Sequence, residues 1–382
     1  MKKSVITASL LIALVLCIVT SPQIALQAAN DGFNVWWRYL FPVLLPMYLL
    51  LILCKALGLF HSLSYILIKL LRIPSMTPTQ LSPYIFRWLM GSTYIASVAQ
   101  QTLEQQTKPA LSRRRLSYLL SLSYNSNPIF IIVIIFTAFI ELPLLGVYIV
   151  AALLISTLIC VILIRLLISS KRKHGINATS LINELELGRQ EDGRSIGKLL
   201  GEGIYESVQQ LFFIGGVMLF GSVIAAYLQV FSPRHLPINF SFIMEQHYAA
   251  YSILKSTFSF QTILLCIAII LSTGGLIQLF IMFDHFKQQQ LSLKLFMSIR
   301  LIHVLFTLVI IYFSFPALNQ RFNFSEALQT FSEADSYFAK LPTTLHLVST
   351  SVLLTSVILL CLLFFSYITH FLLNLYYKNK QA

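Results

Sequence analysis

The sequence predicts an all-α polytopic membrane protein of about eight transmembrane helices, built as two inverted-topology repeats with re-entrant hairpins and broken helices. Three observations lead there. The chain of 382 residues is 57% hydrophobic and only 11% charged, with a mean hydropathy of +0.78, whereas a soluble domain carries roughly a quarter charged residues. Its apolar runs approach the ~20 residues a helix needs to cross a hydrocarbon core. Two of those runs break at mid-depth, one in each half, at Tyr124-Asn125-Ser126-Asn127-Pro128 and at Ser272-Thr273-Gly274-Gly275. A bilayer core has no water for freed backbone groups, so such breaks persist only where they line a cavity or are buried in protein.

The first span, about 4–21, follows Lys2-Lys3 and gives way to polar residues near Ala28-Ala29. It reads as an uncleaved helix. A signal peptide is the alternative, but the apolar core is slightly long for one and Ala25-Leu26-Gln27 is not a small-x-small triplet. The other spans are about 36–59, 115–140, 144–168, 207–230, 261–283, 291–316 and 346–376. Cytoplasmic segments collect Lys and Arg. With the N-terminus inside, the outer segments keep only Arg38, Arg234, Lys255, Arg321 and Lys340 of the chain's 27 Lys and Arg, so both termini are expected in the cytoplasm. Pro42 and Pro46 should bend the second span, and Gly215, Gly216 and Gly221 read as packing positions on 207–230.

One order of elements occurs twice: an opening span, short pieces, a broken span and a closing span. The charge rule sends the first opening span inward and the second outward, which makes the two units inverted. Inverted repeats recur in secondary transporters, with substrate held where the repeats meet. The expected organisation is an N-terminal helix and outer loop (1–35), a first repeat (36–168), a mobile cytoplasmic linker (169–206) and a second, inverted repeat (207–316). An outer loop (317–345) and a C-terminal helix with its tail (346–382) complete it. The short pieces, Leu81 to Gln100 and Phe242 to Phe258, read as re-entrant hairpins, with interfacial amphipathic helices as the alternative.

The candidate substrate-binding residues lie at the breaks and hairpins. Asn and Ser are good N-caps and proline suits a first helical turn. A half-helix should therefore start after Pro128, its positive dipole end at Asn125, Ser126 and Asn127. Free N–H groups and Asn amides there suit an anion or a carbonyl-bearing substrate; a proline kink patched by its neighbours is the alternative. Gly274 and Gly275, followed by Gln278, are the matching feature, as a binding loop or as close helix packing. Ser92 and Tyr94 represent the first hairpin. Arg300 either snorkels to the interface or faces the cavity as the partner of a substrate carboxylate, where His303 could couple protons. No Asp or Glu falls inside an apolar span, so none marks a proton or sodium site.

Other chemistries find no support. The five cysteines are isolated in apolar stretches, without a CxxC pair or a Cys/His cluster, so neither a disulfide framework nor a zinc site is suggested. HExxH and GxSxG are absent, and the stretch Gly193 to Lys198 lacks the spacing of a phosphate loop. No enzyme, cofactor or metal is expected. The net charge of +13 is spread between apolar spans and reports topology rather than nucleic-acid binding.

Several motifs, in order along the chain, carry a family likeness. The stretch Gly32-Phe33-Asn34-Val35-Trp36-Trp37-Arg38-Tyr39-Leu40-Phe41-Pro42-Val43-Leu44-Leu45-Pro46 resembles the opening of the sporulation integral membrane protein YlbJ family. Tyr124-Asn125-Ser126-Asn127-Pro128-Ile129-Phe130 is similar to its Asn-Pro motif, Gly274-Gly275-Leu276 with Gln278 to its second glycine motif, and Arg300-Leu301-Ile302-His303 to its Arg-x-x-His. The likeness runs from about 32 to 310. The chain departs at Ser92-Thr93-Tyr94-Ile95, where the family tends to have Ser-Gly-Tyr-Pro, and at Ala249, where a Gly is expected. The resemblance implies a diverged member of the Gate, or nucleoside-recognition-like, membrane proteins. It also implies a place in the outer forespore membrane and delivery of dipicolinic acid, a small aromatic dicarboxylate, toward the forespore. The partners would then be membrane lipid and a small anionic substrate. The alternatives are a nucleoside-type transporter and a non-transporting scaffold of spore assembly, docking a protein through the loop from Asn319 to Pro342. Broken helices argue against a pure scaffold, which has no need of them.

Overall fold

A computed structural model describes residues 2–71, 77–94, 113–167, 181–232 and 239–322, and their regular structure is helical. Helices α1 (Lys2–Thr20) and α2 (Pro22–Val35) lead to a π-helical turn, Trp36–Leu40, that runs straight into α3 (Phe41–Ala56). Then come α4 (Leu59–Leu71), α5 (Pro78–Met90), α6 (Arg113–Ser123), a π-helical stretch (Phe130–Phe139) and α7 (Pro143–Leu167). After α8 (Leu181–Asp192), α9 (Ile196–Phe231) and a 3-10 turn (Phe240–Phe242) follow α10 (Gln246–Leu254), α11 (Phe260–Thr273), α12 (Leu276–Gln288) and α13 (Leu293–Arg321).

Five helical stretches among the described residues are long and apolar enough to cross a membrane: Pro22–Ala56, Pro143–Ile164, Ile196–Phe231, Phe260–Gln288 and Leu293–Arg321. They overlap the expected spans 36–59, 144–168, 207–230, 261–283 and 291–316. The expected 115–140 is divided into two short helical pieces, and 4–21 overlaps α1. Helix α13 continues to Arg321, into the expected outer loop. The rest of that loop from 323, the span 346–376 and the hairpin residues 95–100 lie outside the described residues.

Part of the stretch expected as a linker lies among the described residues, and it is largely helical. Residues 181–192 form α8, and α9 begins at Ile196, well ahead of 207. Glu184 in the first turn and Arg189 in the last suit the α8 dipole. Helix α8 packs on α4, with Glu184 and Gly188 buried.

The residues cluster in two units. One draws its described residues from Met1–Phe41, Arg87–Ile168 and Gln209–Tyr337; the other draws its described residues from Pro42–Phe86 and Ser169–Val208. In the second unit His61 Nε2 lies 3.1 Å from Glu191 Oε2, and Ser62 Oγ donates to the Leu181 carbonyl at 3.2 Å. Beyond α8, Arg194 donates to Asp192 (2.7 Å) and Glu202 (3.0 Å). The Arg194 guanidinium holds the Asp192 carboxyl below its ordinary range.

In the first unit α13 packs against α6, α7 and α11. Its pattern is inverted relative to a helix in water. Arg300, His303, Thr307 and Ile311, spaced three and four apart, are buried, while Leu301, Leu305, Val309 and Phe313 are exposed. A 3.6-residue period puts each set on its own face. Lipid can cover the apolar face at no cost, while polar groups in a membrane turn toward the protein interior.

Candidate functional site

Both helix breaks, the turn at Gly91 and the entry to α10 converge within the first unit. At the first break α6 ends at Ser123, residues 124–127 leave the helix, and helix resumes at Pro128. The Asn127 Oδ1 accepts the amides of Ile129 (2.7 Å) and Phe130 (3.3 Å), which makes Asn127 an N-cap with proline at the first helical position.

The second break uses backbone instead of side chains. Gly274 (φ +79°) ends α11, and Gly275 (φ +88°) turns the chain into α12. Both lie where only glycine is unstrained. The first amides of α12, from Leu276 and Ile277, donate to the carbonyls of Ile243 (2.9 Å) and Met244 (3.1 Å). Side chains would not fit: a Cβ on Gly274 would lie 2.7 Å from Tyr124 Oη, and one on Gly275 would lie 2.8 Å from the Met244 carbonyl oxygen.

A single cation takes the carbonyl ends of both broken helices. Arg300 donates to the Ser121 and Tyr124 carbonyls, to the Ser272 carbonyl at 3.4 Å and to Asn125 Oδ1 at 3.3 Å. These carbonyls are the negative ends of helix dipoles, where a cation is stabilised. Arg300 is 3% exposed and stays in the interior, so the snorkelling reading does not hold.

Glu245, Gln246 and His247 connect the parts. Glu245 accepts the amides of His247 (2.9 Å) and Tyr248 (3.0 Å), capping α10. Its Oε1 also meets His247 Nδ1 (2.5 Å) and accepts from Gln278 Nε2 (2.8 Å). Gln246 Oε1 accepts from Ser92 Oγ (3.2 Å) and Ser126 Oγ (2.5 Å), and its Nε2 donates to Thr93 Oγ1 (2.9 Å). On the neighbouring helix α7, Thr157 Oγ1 lies 3.2 Å from His303 Nε2 and accepts from Asn125 Nδ2 at 3.4 Å.

This network corrects one expectation and adds a buried acidic group from outside the apolar spans. The half-helix amides named above, expected to be free, are met by Asn127 Oδ1 and by the carbonyls of 243–244, because buried N–H groups must be paired. An acidic group does reach the interior: Glu245 is 1% exposed. It arrives on a short piece rather than an apolar span.

Five buried polar atoms around the junction have no hydrogen-bond partner among the described residues: Tyr124 Oη, Ser272 Oγ, Gln278 Oε1, Arg300 Nε and His303 Nδ1. Buried polar atoms are nearly always paired, and each unmet one costs about 1–3 kcal/mol. Their concentration in one place is a chemical demand for further polar atoms. Among the described residues no three His, Cys, Asp or Glu side chains group as metal ligands.

Over 235 residues the chain is 25% identical to the sporulation integral membrane protein YlbJ of Bacillus subtilis (strain 168). The chain is distantly homologous to the YlbJ sporulation membrane protein family. The match covers 59% of this chain and 57% of that protein, so the chain spans little more than half of the YlbJ relative's length. No protein-family model and no solved structure matches the chain.

Of the residues singled out by sequence, Ser92, Asn125, Ser126, Asn127, Gly274, Gly275, Gln278 and Arg300 meet at the junction. Pro128 starts the helix behind it, and Tyr94 is half-buried on the helical turn 92–94. Sequence reasoning missed Gln246 and Thr157 as members, and named Tyr124 and Ser272 as parts of the breaks without giving them a binding role. Thr157 could have been found as a hydroxyl on an apolar span, but such residues often only bond their own helix, as Thr157 also does through the Leu153 carbonyl.

Proposed function

We propose that this chain is a membrane transporter of a small organic anion, with dipicolinic acid as its substrate and sporulation as its setting. The junction of the two breaks is its binding site. The observation that carries this reading is the cluster of five buried, unpartnered polar atoms where the two breaks meet. Interrupted helices at matching places in two halves are the expected construction of a transporter site. Each half supplies one break and one short piece, 91–94 with 124–128 and 243–247 with 274–275, as two inverted repeats would. Tyr124 Oη, Ser272 Oγ and Arg300 Nε are donors suited to carboxylate oxygens. Movement of one repeat against the other would expose the site to alternate sides, with both termini in the cytoplasm.

A second reading has its own support. Gln278 Oε1, an unpartnered acceptor beside Glu245, suits an N–H or O–H donor of a neutral solute of the nucleoside type. Uptake of labelled dipicolinate into proteoliposomes, with nucleosides and dicarboxylates as competitors, separates the two. Saturable uptake, abolished in a folded Asn127→Ala protein and competed by dicarboxylates, supports the anion reading. Competition by nucleosides alone would transfer the site to that substrate class. Unchanged uptake in Asn127→Ala would remove the junction as the site, and no uptake of either solute would favour a scaffold.

A further inference from the structure

A second polar feature lies apart from the junction, where the start of α6 faces the turn between α12 and α13. There a cavity of about 570 Å³ is lined by Arg113, Arg114 and Lys294, with Ser117, Ser292 and Ser298. That is within the usual size of a small-molecule site. None of its described lining residues is acidic. Three cations brought to one concavity without a carboxylate repel one another and concentrate the field for an anion.

The walls of the cavity are fastened together. Ser117 Oγ accepts the Ser292 amide at 3.0 Å, and Arg113 donates to Gln290 Oε1. Gln290 sits at φ +54°, a conformation that favours glycine, and its side chain is the acceptor of that bond. Arg114 Nε donates to Tyr118 Oη at 3.0 Å, which fixes the direction of its guanidinium. Planar, forked guanidiniums beside an ammonium group are the recognition chemistry of phosphate oxygens.

We propose that this cavity binds a phosphate group, either in the headgroup of an anionic phospholipid or as the free ion. By the positive-inside rule the face carrying Arg113 and Arg114 is cytoplasmic, and basic pockets between membrane helices on that side take anionic headgroups. The bound phosphate joins α6 to α13, the helices that carry the Ser121 carbonyl and Arg300. This assignment stands independently of the transported solute.

The test uses the full-length protein in phosphatidylcholine nanodiscs with and without phosphatidylglycerol, and in phosphatidylcholine with millimolar inorganic phosphate. Thermal unfolding and native mass spectrometry are the readouts. Phosphatidylglycerol should raise the unfolding midpoint and remain bound, and Lys294→Gln should weaken its binding about fivefold. The double variant Arg113→Gln/Arg114→Gln should weaken it about 25-fold by the same scale. Lys287→Gln is the control, since Lys287 does not line the cavity. An equal shift from inorganic phosphate would identify the free ion as the source. Either of two results would overturn the proposal: no response to lipid or phosphate in the folded protein, or a Lys287→Gln loss as large as that of Lys294→Gln.

Discussion

The two helix breaks solve one physical problem with different chemistry. At 124–128 the interruption is stabilised by a side chain, with Asn127 standing in for the lost carbonyl acceptors and Pro128 requiring no acceptor at all. At 274–275 it is stabilised by backbone, with two left-handed glycines and carbonyls borrowed from 243–244. Arg300 is shared, receiving carbonyl oxygens from both. A side-chain cap can be exchanged for another of similar chemistry. A backbone turn packed against Met244 cannot.

Removing the shared element should have the largest effect. Arg300→Gln orphans carbonyls at both breaks at once and should cost about 3 kcal/mol or more, since each unmet buried acceptor costs about 1–3. Chemical unfolding in detergent checks it; a loss below about 1 kcal/mol would mean that the breaks do not depend on this cation. Gly275→Ala should follow, at about 1–3 kcal/mol for the strained backbone, with added crowding against the Met244 oxygen. No side-chain replacement should rescue it. Asn127→Ala should cost about 1 kcal/mol, as lost N-caps do, while Asn127→Asp should retain most of the stability. Equal sensitivity of Asn127→Asp and Asn127→Ala would erase the proposed contrast between the breaks.

The smallest expected effect lies in the second unit. Arg194 lowers the Asp192 carboxyl, so this contribution to stability is present above the ordinary carboxylate range and is lost as pH falls through the lowered value. Asp192→Asn should flatten that part of the acid limb in a thermal-midpoint titration by lowering the neutral midpoint slightly toward the acid one, the drop being small because the pair is partly screened by solvent. A large neutral loss would show that the ion cluster bears more than a surface role.

Much of this was legible in the sequence. Asn127-Pro128 and Gly274-Gly275 are local signals, because capping and left-handed turns depend on a few adjacent residues. Five of the expected apolar spans were legible for the same reason. What the sequence could not supply was partnership across long separations. Arg300 reaches residues 121–125, and Gln246 reaches residues 92, 93 and 126. Glu245 was visible as a charge on a short piece, but its burial depends on Gln278 and His247 meeting it. Helix α8 was obscured because a charged helix and a charged linker share one composition.

The most direct test of the site separates binding from folding at Tyr124. Its hydroxyl is buried and has no partner among the described residues, so Tyr124→Phe removes an unmet polar group and should leave stability unchanged or raise it by about 1 kcal/mol. If that hydroxyl faces the solute, the same substitution should lower dipicolinate uptake by proteoliposomes about tenfold, the loss of roughly one hydrogen bond to a charged group. A Tyr124→Phe protein that is clearly destabilised yet transports at the wild-type rate would contradict the account.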